Sequence, residues 1–295
     1  MRRRTLLAAL LLSAASRPGW AAGPKPVVAT FSILADMTAT IGGDAVAVTS
    51  LVPVNGDAHT YEPVPADLRS LQAASALVEN GLGMEGWLER LVRASAFHGV
   101  TVLASNGVVP RSMEEDGQRI TDPHAWQDPR NGVLYARNIA DGLARAVPEQ
   151  ADAIRAHAAD YIGQIEAVDR WVEQTLSAVP RAKRKIITSH DAFGYYGARY
   201  GVTLRAAQGI STEDEPSARD IANLIGQIRR ENIKAVFVEN MTDPRLIAML
   251  AKEAGATVGG TVYSDALSPP GGPADTYLKM FRHNATLFAR AMAAN

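Results

Sequence analysis

Three of the six histidines lie in turn-rich segments that border predicted strands. They are His59 in GDAHTYEP, His124 in TDPHAWQDP and His190 in ITSHDAFGYY, separated by 65 and 66 residues. Asp265, in GTVYSDALSPPGG, is a fourth position of this kind and follows His190 by 75 residues. Loops after strands are frequent ligand sites in α/β proteins. The intervals of 65 and 66 residues correspond to about two βα units each, so the three histidines could sit at equivalent sheet edges.

Three imidazoles and one carboxylate would form a four-coordinate site for a divalent metal. Neutral imidazole suits zinc and other late first-row metals. An all-oxygen site of the kind that calcium prefers is not offered. The chain has no cysteine, which leaves histidine and carboxylate as the strong ligands.

Taken singly, these residues and their neighbours also have structural explanations. Asp122 and Asp128 each precede a proline and are expected to cap turns or helices. Asp191 could cap a helix start, and Asp265 could cap the turn before SPPGG. The grouping of the four ligand types at loop ends favours the metal hypothesis.

A zinc-dependent periplasmic hydrolase with an open His/Asp metal site is the alternative function. It would need an open coordination position and a nearby general base. Glu62, Glu239 and Asp243 are candidate bases, although roles in capping or in orienting ligands are favoured. The chain contains no HExxH, GxSxG or P-loop motif. GLGMEG, at 81–86, has GxGxxG spacing but is interpreted as a glycine turn.

The first 21 residues have the pattern of a secretory signal peptide, with three arginines before a short apolar run. Export predicts a periplasmic protein. A chain without cysteine predicts no lipid anchor. The formal net charge of −1 argues against nucleic acid as a partner. We expect a monomer.

From Lys25 onward, strand-like and helix-like segments alternate, which predicts an α/β fold with mainly parallel sheets. RKIITSHDAFGYYGARYGV repeats the pattern of PVVATFSILADMTATIGG, so we predict two similar Rossmann-like lobes. Their predicted limits are 22–147 and 180–295, with one long rigid helix over 148–179 between them. Each lobe supplies two of the four ligand candidates, which predicts a metal site in the interlobe cleft.

The long helix is predicted from apolar residues at steps of three or four. This spacing makes one face of a helix of about 30 residues. The apolar positions are Ile154, Ala158, Tyr161, Ile165, Val168, Val172 and Leu176. The remaining histidines, His98, His157 and His283, are assigned no function.

Across the mature chain, the motifs resemble those of the solute-binding proteins of zinc and manganese ABC importers, the TroA-like or adhesin-type metal receptors. The segments that carry the resemblance include VNGDAHTYEP, DPHAWQDPRNGVLYARNIADGL, ITSHDAFGYYGARYGV and VYSDALSPPGGPADTYLKMFRHN. The resemblance implies two α/β lobes, a long connecting helix and a permease partner. It also implies His59, His124, His190 and Asp265 as metal ligands, and a receptor rather than an enzyme.

The resemblance also bears on which metal is bound. Manganese receptors of this family often have a glutamate where His190 stands, so the histidine favours zinc. Many zinc receptors carry a His-rich loop before the second ligand, and NGVVPRSMEEDGQRITDPH has none. We therefore expect Zn2+ first, with Mn2+ as the alternative.

Binding should require neutral histidines, so affinity is expected to fall below about pH 6.5. A rigid linking helix predicts small shifts and loop ordering around Asp265 rather than wide hinge closure.

Overall fold

The computed structural model describes residues 23–115, 118–209, 212 and 217–295. The predicted signal peptide at 1–21 lies outside these residues. Among the described residues, no helix combines the length and the apolar character needed to cross a membrane.

The first lobe is a four-stranded parallel sheet in the order β2-β1-β3-β4. Burial of valine and alanine side chains along β1 and β3 fits strands covered on both faces. The strands are β1 (Lys25–Ala29), β2 (Val46–Ser50), β3 (Ala76–Glu79) and β4 (Val100–Leu103). The helices are α1 (Ser32–Gly42), α2 (Pro65–Ala73), α3 (Leu88–Ser95) and α4 (Pro129–Ala146).

An antiparallel hairpin, which the sequence analysis did not predict, is inserted between β4 and α4. It consists of β5 (Arg111–Glu115) and β6 (Gln118–Asp122). RSMEE and QRITD lack the apolar alternation that normally indicates a strand. The intervening Asp116-Gly117 dipeptide is a hairpin signal in the sequence that the analysis passed over.

The second lobe is also a four-stranded parallel sheet, in the order β10-β9-β7-β8. Counted within the lobe, this is the strand order of the first sheet, which confirms the prediction of two similar α/β lobes. The strands are β7 (Lys185–Thr188), β8 (Thr203–Ala206), β9 (Ala235–Glu239) and β10 (Thr257–Val262). The helices are α6 (Gly194–Tyr200), α7 (Ala218–Arg230), α8 (Pro244–Ala254) and α9 (Tyr277–Ala294).

The long helix α5 (Ala151–Ser177) connects the lobes and has 27 residues, a length of about 40 Å. Its buried side chains are the seven that the apolar spacing identified. It is shorter than predicted because Pro148–Gln150 form a separate 3-10 turn, and Gln150 leaves the helical backbone conformation. Helix α5 packs against α1 and α4 of the first lobe and against α9 of the second. It therefore joins the two lobes by side-chain packing as well as by the chain itself.

Candidate metal centre

The four ligand candidates meet in the cleft between the lobes. His190 and Asp265 follow β7 and β10 closely, whereas His59 lies in the longer loop after β2. His124 follows the hairpin strand β6 and precedes α4. One donor atom from each residue lies within 4.8 Å of every other, which makes a cluster of three imidazoles and one carboxylate.

Four of the six separations within the cluster match the size of a small divalent ion. Asp265 Oδ2 lies 3.3 Å from His59 Nε2, 3.6 Å from His124 Nε2 and 3.1 Å from His190 Nε2. His59 Nε2 and His124 Nε2 are 3.2 Å apart. Ligands at the corners of a tetrahedron with bonds of about 2.0–2.1 Å are about 3.3 Å apart, which is the geometry of structural zinc.

The cluster is almost completely shielded from solvent. His124, His190 and Asp265 are 0% exposed, and the side chain of His59 is 6% exposed. Among the described residues, Asp265 Oδ1 has no hydrogen-bond partner. An unpartnered carboxylate oxygen in a dry site is costly, and a bound cation would satisfy it. The donor set therefore fits a divalent metal.

Asp122 holds His124 in place. Its Oδ1 accepts the His124 backbone N–H at 3.0 Å and lies 2.9 Å from Nδ1 of the same ring. A carboxylate on Nδ1 orients the imidazole and leaves Nε2 for the metal. The expected turn role of Asp122 is therefore correct, but the sequence analysis missed its contact with the ring. Arg111 Nε lies 3.7 Å from Asp122 Oδ2.

Glu239, at the end of β9, holds the backbone and the ring of His190, which follows the neighbouring strand β7. Its Oε1 accepts the His190 backbone N–H at 2.8 Å, and its Oε2 lies 2.7 Å from Nδ1. Glu239 is 0% exposed. The side chain is thus occupied with His190, in keeping with the favoured interpretation that it orients a ligand.

Asp57 supports His59 through the backbone. Its Oδ1 accepts the His59 N–H at 2.9 Å. Both histidines of the first lobe thus follow an aspartate by two residues, in DAH and DPH. Asp57 was not among the residues predicted from the sequence, although the repeated D-x-H spacing is a signal for it.

The charges of the cluster reinforce one another. Burial lowers the pKa of His124, but the Asp265 carboxylate and the hydrogen bond to Asp122 outweigh burial and raise it to about 9. Burial acts the same way on His190, and the Glu239 and Asp265 carboxylates raise its pKa well above the usual range. Burial raises the pKa of Asp265, but His124 and His190 outweigh it and hold the pKa well below normal. Both histidine shifts favour protonated imidazoles, with which a metal ion would have to compete.

The segment around Asp265 is bound to the first lobe. The backbone oxygen of Ser264 accepts Trp126 Nε1–H at 2.9 Å and Gln127 Nε2–H at 2.8 Å. The Leu267 N–H donates to Ser32 Oγ at 2.9 Å. These bonds hold the segment that carries Asp265 against the first lobe.

Other residues named from the sequence lie outside the cluster. Asp128 caps α4 and Asp243 caps α8, each accepting a backbone N–H at 2.9 Å. Glu62 is exposed. Phe193 rather than Asp191 is the N-cap residue of α6, so the suggested capping role of Asp191 is wrong. Because Asp265 Oδ2 faces the histidines, the suggested turn cap at this residue is wrong as well.

The glycine turn at 81–86 is structural, and the remaining histidines lie outside the metal cluster. In the turn, Glu85 accepts the backbone N–H groups of Asn80 at 2.7 Å and Gly81 at 3.0 Å. His157 Nδ1 lies 3.3 Å from Ile41 O, and His283 Nε2 lies 2.9 Å from Thr261 O. The third of these histidines, His98, is exposed.

Residues 27–291 match the model of a protein family described as zinc-uptake complex component A, periplasmic, or ZnuA. The chain belongs to the ZnuA family. Membership confirms the predicted class, a metal receptor of an uptake system and not an enzyme. The alternative prediction of a zinc-dependent periplasmic hydrolase is therefore wrong.

Relatives within the ZnuA family carry the names of different metals. The manganese-binding lipoprotein MntA of Halalkalibacterium halodurans is 31% identical over 267 residues, covering 90% of this chain and 88% of its own. The iron ABC transporter substrate-binding lipoprotein MtsA of Streptococcus pyogenes is 30% identical, covering 90% and 88%. The structure of the periplasmic zinc-binding protein TroA from Treponema pallidum has a TM-score of 0.87 at 26% identity, covering 92% and 100%.

Proposed function

We propose that this chain binds one divalent metal ion with high affinity through His59, His124, His190 and Asp265, and delivers it to the permease of an ABC importer. The observation that carries the proposal is the convergence of three imidazole nitrogens and one carboxylate oxygen within 4.8 Å, in the cleft between the lobes. The family match supports a receptor for metal uptake.

Zinc is the cargo that we propose first, with manganese as the alternative. Three imidazoles favour zinc over manganese, because imidazole suits zinc, copper, iron and nickel, whereas carboxylate, carbonyl and water ligands suit manganese. The distances of 3.1–3.6 Å from Asp265 Oδ2 to the three rings also suit a four-coordinate ion. Among the relatives, MntA is named for manganese, MtsA for iron and TroA for zinc, so names alone do not choose between them.

We propose that the chain works outside the cytoplasm as a monomer. The family description is periplasmic, which agrees with the predicted signal peptide. MntA and MtsA are named lipoproteins, so relatives include proteins with a membrane anchor. Absence of an anchor in this protein stays a prediction from its lack of cysteine.

Lobes at 22–147 and 180–295, on either side of the connecting helix, would take up the ion with small movements. The bonds from Trp126 and Gln127 to Ser264 support this view, because they tie the Asp265 segment to the opposite lobe.

The test is a calorimetric competition titration of chelator-stripped protein with zinc and manganese near pH 7. One tight zinc site with much weaker manganese binding is the expected result. Manganese binding as tight as zinc binding, or tighter, would make manganese the proposed cargo. Binding of neither ion would refute the receptor proposal at these four residues.

A further inference from the structure

The two edges of the metal cleft are closed by different kinds of contact. At the Asp265 edge, buried side chains of the first lobe bond to the backbone of Ser264 and Leu267. At the His59 edge, two contacts join side chains on loops, and a third joins the backbone of Asn55 to that of Leu267. His59 is also the one ligand candidate with solvent exposure, at 6% of its side chain.

Asp57 connects His59 to the opposite lobe. Its Oδ1 accepts the His59 N–H at 2.9 Å, and its Oδ2 accepts the Thr212 hydroxyl at 2.5 Å. One carboxylate therefore fixes the backbone of a ligand and bridges the cleft. A hydrogen bond to a charged acceptor contributes more than one between neutral groups.

Asn55 makes a second bridge, two residues earlier. Its Oδ1 accepts Asn240 Nδ2–H at 2.9 Å, and its backbone N–H donates to Leu267 O at 3.2 Å. Asn55 has a φ of +58°, a left-handed conformation that asparagine adopts more readily than most residues. The turn thus directs both groups of Asn55 towards the second lobe.

We propose that Asp57–Thr212 and Asn55–Asn240 form a latch that closes the His59 edge and sets the rate at which the ion leaves. Asp57 is a positioning residue, since it acts on the ion through His59. This inference rests on the proposed function. The Asp265 edge stays closed when the latch opens, so release needs separation at one edge and no rotation of whole lobes.

The first experiment compares zinc dissociation from the wild type and from Thr212→Val and Asn240→Ala variants, with a fast chelator in excess. Neither residue is one of the four ligand candidates. Thr257→Val is the matched control, because the Thr257 hydroxyl bonds to Lys234 O within the second lobe. We expect dissociation about tenfold faster in Thr212→Val and about fivefold faster in Asn240→Ala, with no change in the control.

Amide hydrogen exchange tests whether the latch exists, independently of metal binding. The amide protons of Asn55 and His59 should exchange with deuterium faster in Thr212→Val than in Thr257→Val. If the wild type binds neither zinc nor manganese, the proposed function fails, and exchange alone tests the latch. Dissociation and amide exchange equal to those of the Thr257→Val control would overturn the inference.

Discussion

The two lobes share one strand order but present their ligand candidates in different ways. In the second lobe, His190 comes two residues after Thr188 at the end of β7, and Asp265 comes three residues after Val262 at the end of β10. In the first lobe, His59 comes nine residues after Ser50, and His124 follows the inserted hairpin. Short connections restrict a side chain to the sheet edge, whereas longer loops allow adjustment.

The lobes also differ in how they hold their histidines. Asp57 and Asp122 each bond to the histidine two residues later, within the same turn. His190 is held instead by Glu239, a residue 49 positions away on a neighbouring strand. We therefore expect the second lobe to be the rigid half of the site, and the His59 loop of the first lobe to be the part that opens. Four predictions test this contrast.

The largest effect is expected from Asp265→Ala, which removes the anionic donor from the rigid half. We expect zinc affinity to fall about 100- to 1,000-fold, because buried charges lose a partner. His59→Ala should cost less, since water can reach its partly exposed position. Competition with a zinc chelator measures both, and circular dichroism checks that the variants fold. Unchanged affinity in Asp265→Ala would remove this residue from the site, and a larger loss in His59→Ala would contradict the contrast.

The second-largest loss of zinc affinity is expected from changing the carboxylates that contact Nδ1 of His124 and His190. Glu239→Gln and Asp122→Asn should each lower zinc affinity about 10- to 100-fold, because each loses an anionic partner that orients an imidazole. Asp243→Asn is the control, a carboxylate-to-amide change at a helix cap away from the cluster. Affinities equal to that of the control would show that neither carboxylate orients a ligand.

A pH titration tests how the charge of one lobe acts on the other. The Asp265 carboxylate contributes to raising the pKa of His124 to about 9, so we expect zinc binding to displace a proton at neutral pH. Zinc affinity should rise about tenfold per pH unit from about pH 6.5 to about 9, instead of levelling off near 6.5 as the sequence predicted. In the protein without metal, the raised pKa of His124 stabilises the fold fully below about pH 6.5. This stabilisation is lost as the pH rises through about 9.

The measurement is the zinc dissociation constant at pH 7, 8 and 9, with chelator affinities corrected for pH. His190 titrates in the same direction and can only steepen the slope. Asp265→Ala should flatten the curve, because the opposing charge is gone. An affinity that stops rising above pH 7 in the wild type would contradict the prediction.

The smallest effect is expected from Tyr195→Phe, which removes a contact between the lobes away from the ion. The Tyr195 hydroxyl accepts the Arg111 N–H at 2.9 Å and donates to Asp122 O at 3.2 Å. Its loss should lower the free energy of unfolding by about 1–2 kcal/mol. Zinc affinity should change little, since Asp122 Oδ1 still holds His124. Denaturant unfolding measures the first quantity, and an affinity loss as large as that of Asp122→Asn would show that the hairpin position controls the ligand.

Much of the fold could be predicted because its signals are local. Apolar steps of three or four identified every buried residue of α5. The alternation of strands and helices indicated both lobes. The hairpin was missed because its strands are polar and do not need a buried face to pair. The start of α5 was predicted at Pro148 and lies at Ala151, because Pro148 suits the first turn of an α-helix and a 3-10 turn alike.

The sequence by itself determined the types of the ligand candidates, their positions in loops after strands and, through D-x-H, the local support of His59 and His124. These features depend on residues within a few positions of one another. Only the tertiary structure decided that Glu239 holds His190, that Thr212 and Asn240 close over the His59 loop, and that Trp126 and Gln127 bind the Asp265 segment. Those contacts join residues up to 185 positions apart. Their partners are chosen by how two sheets pack around α5, a choice that no local pattern encodes.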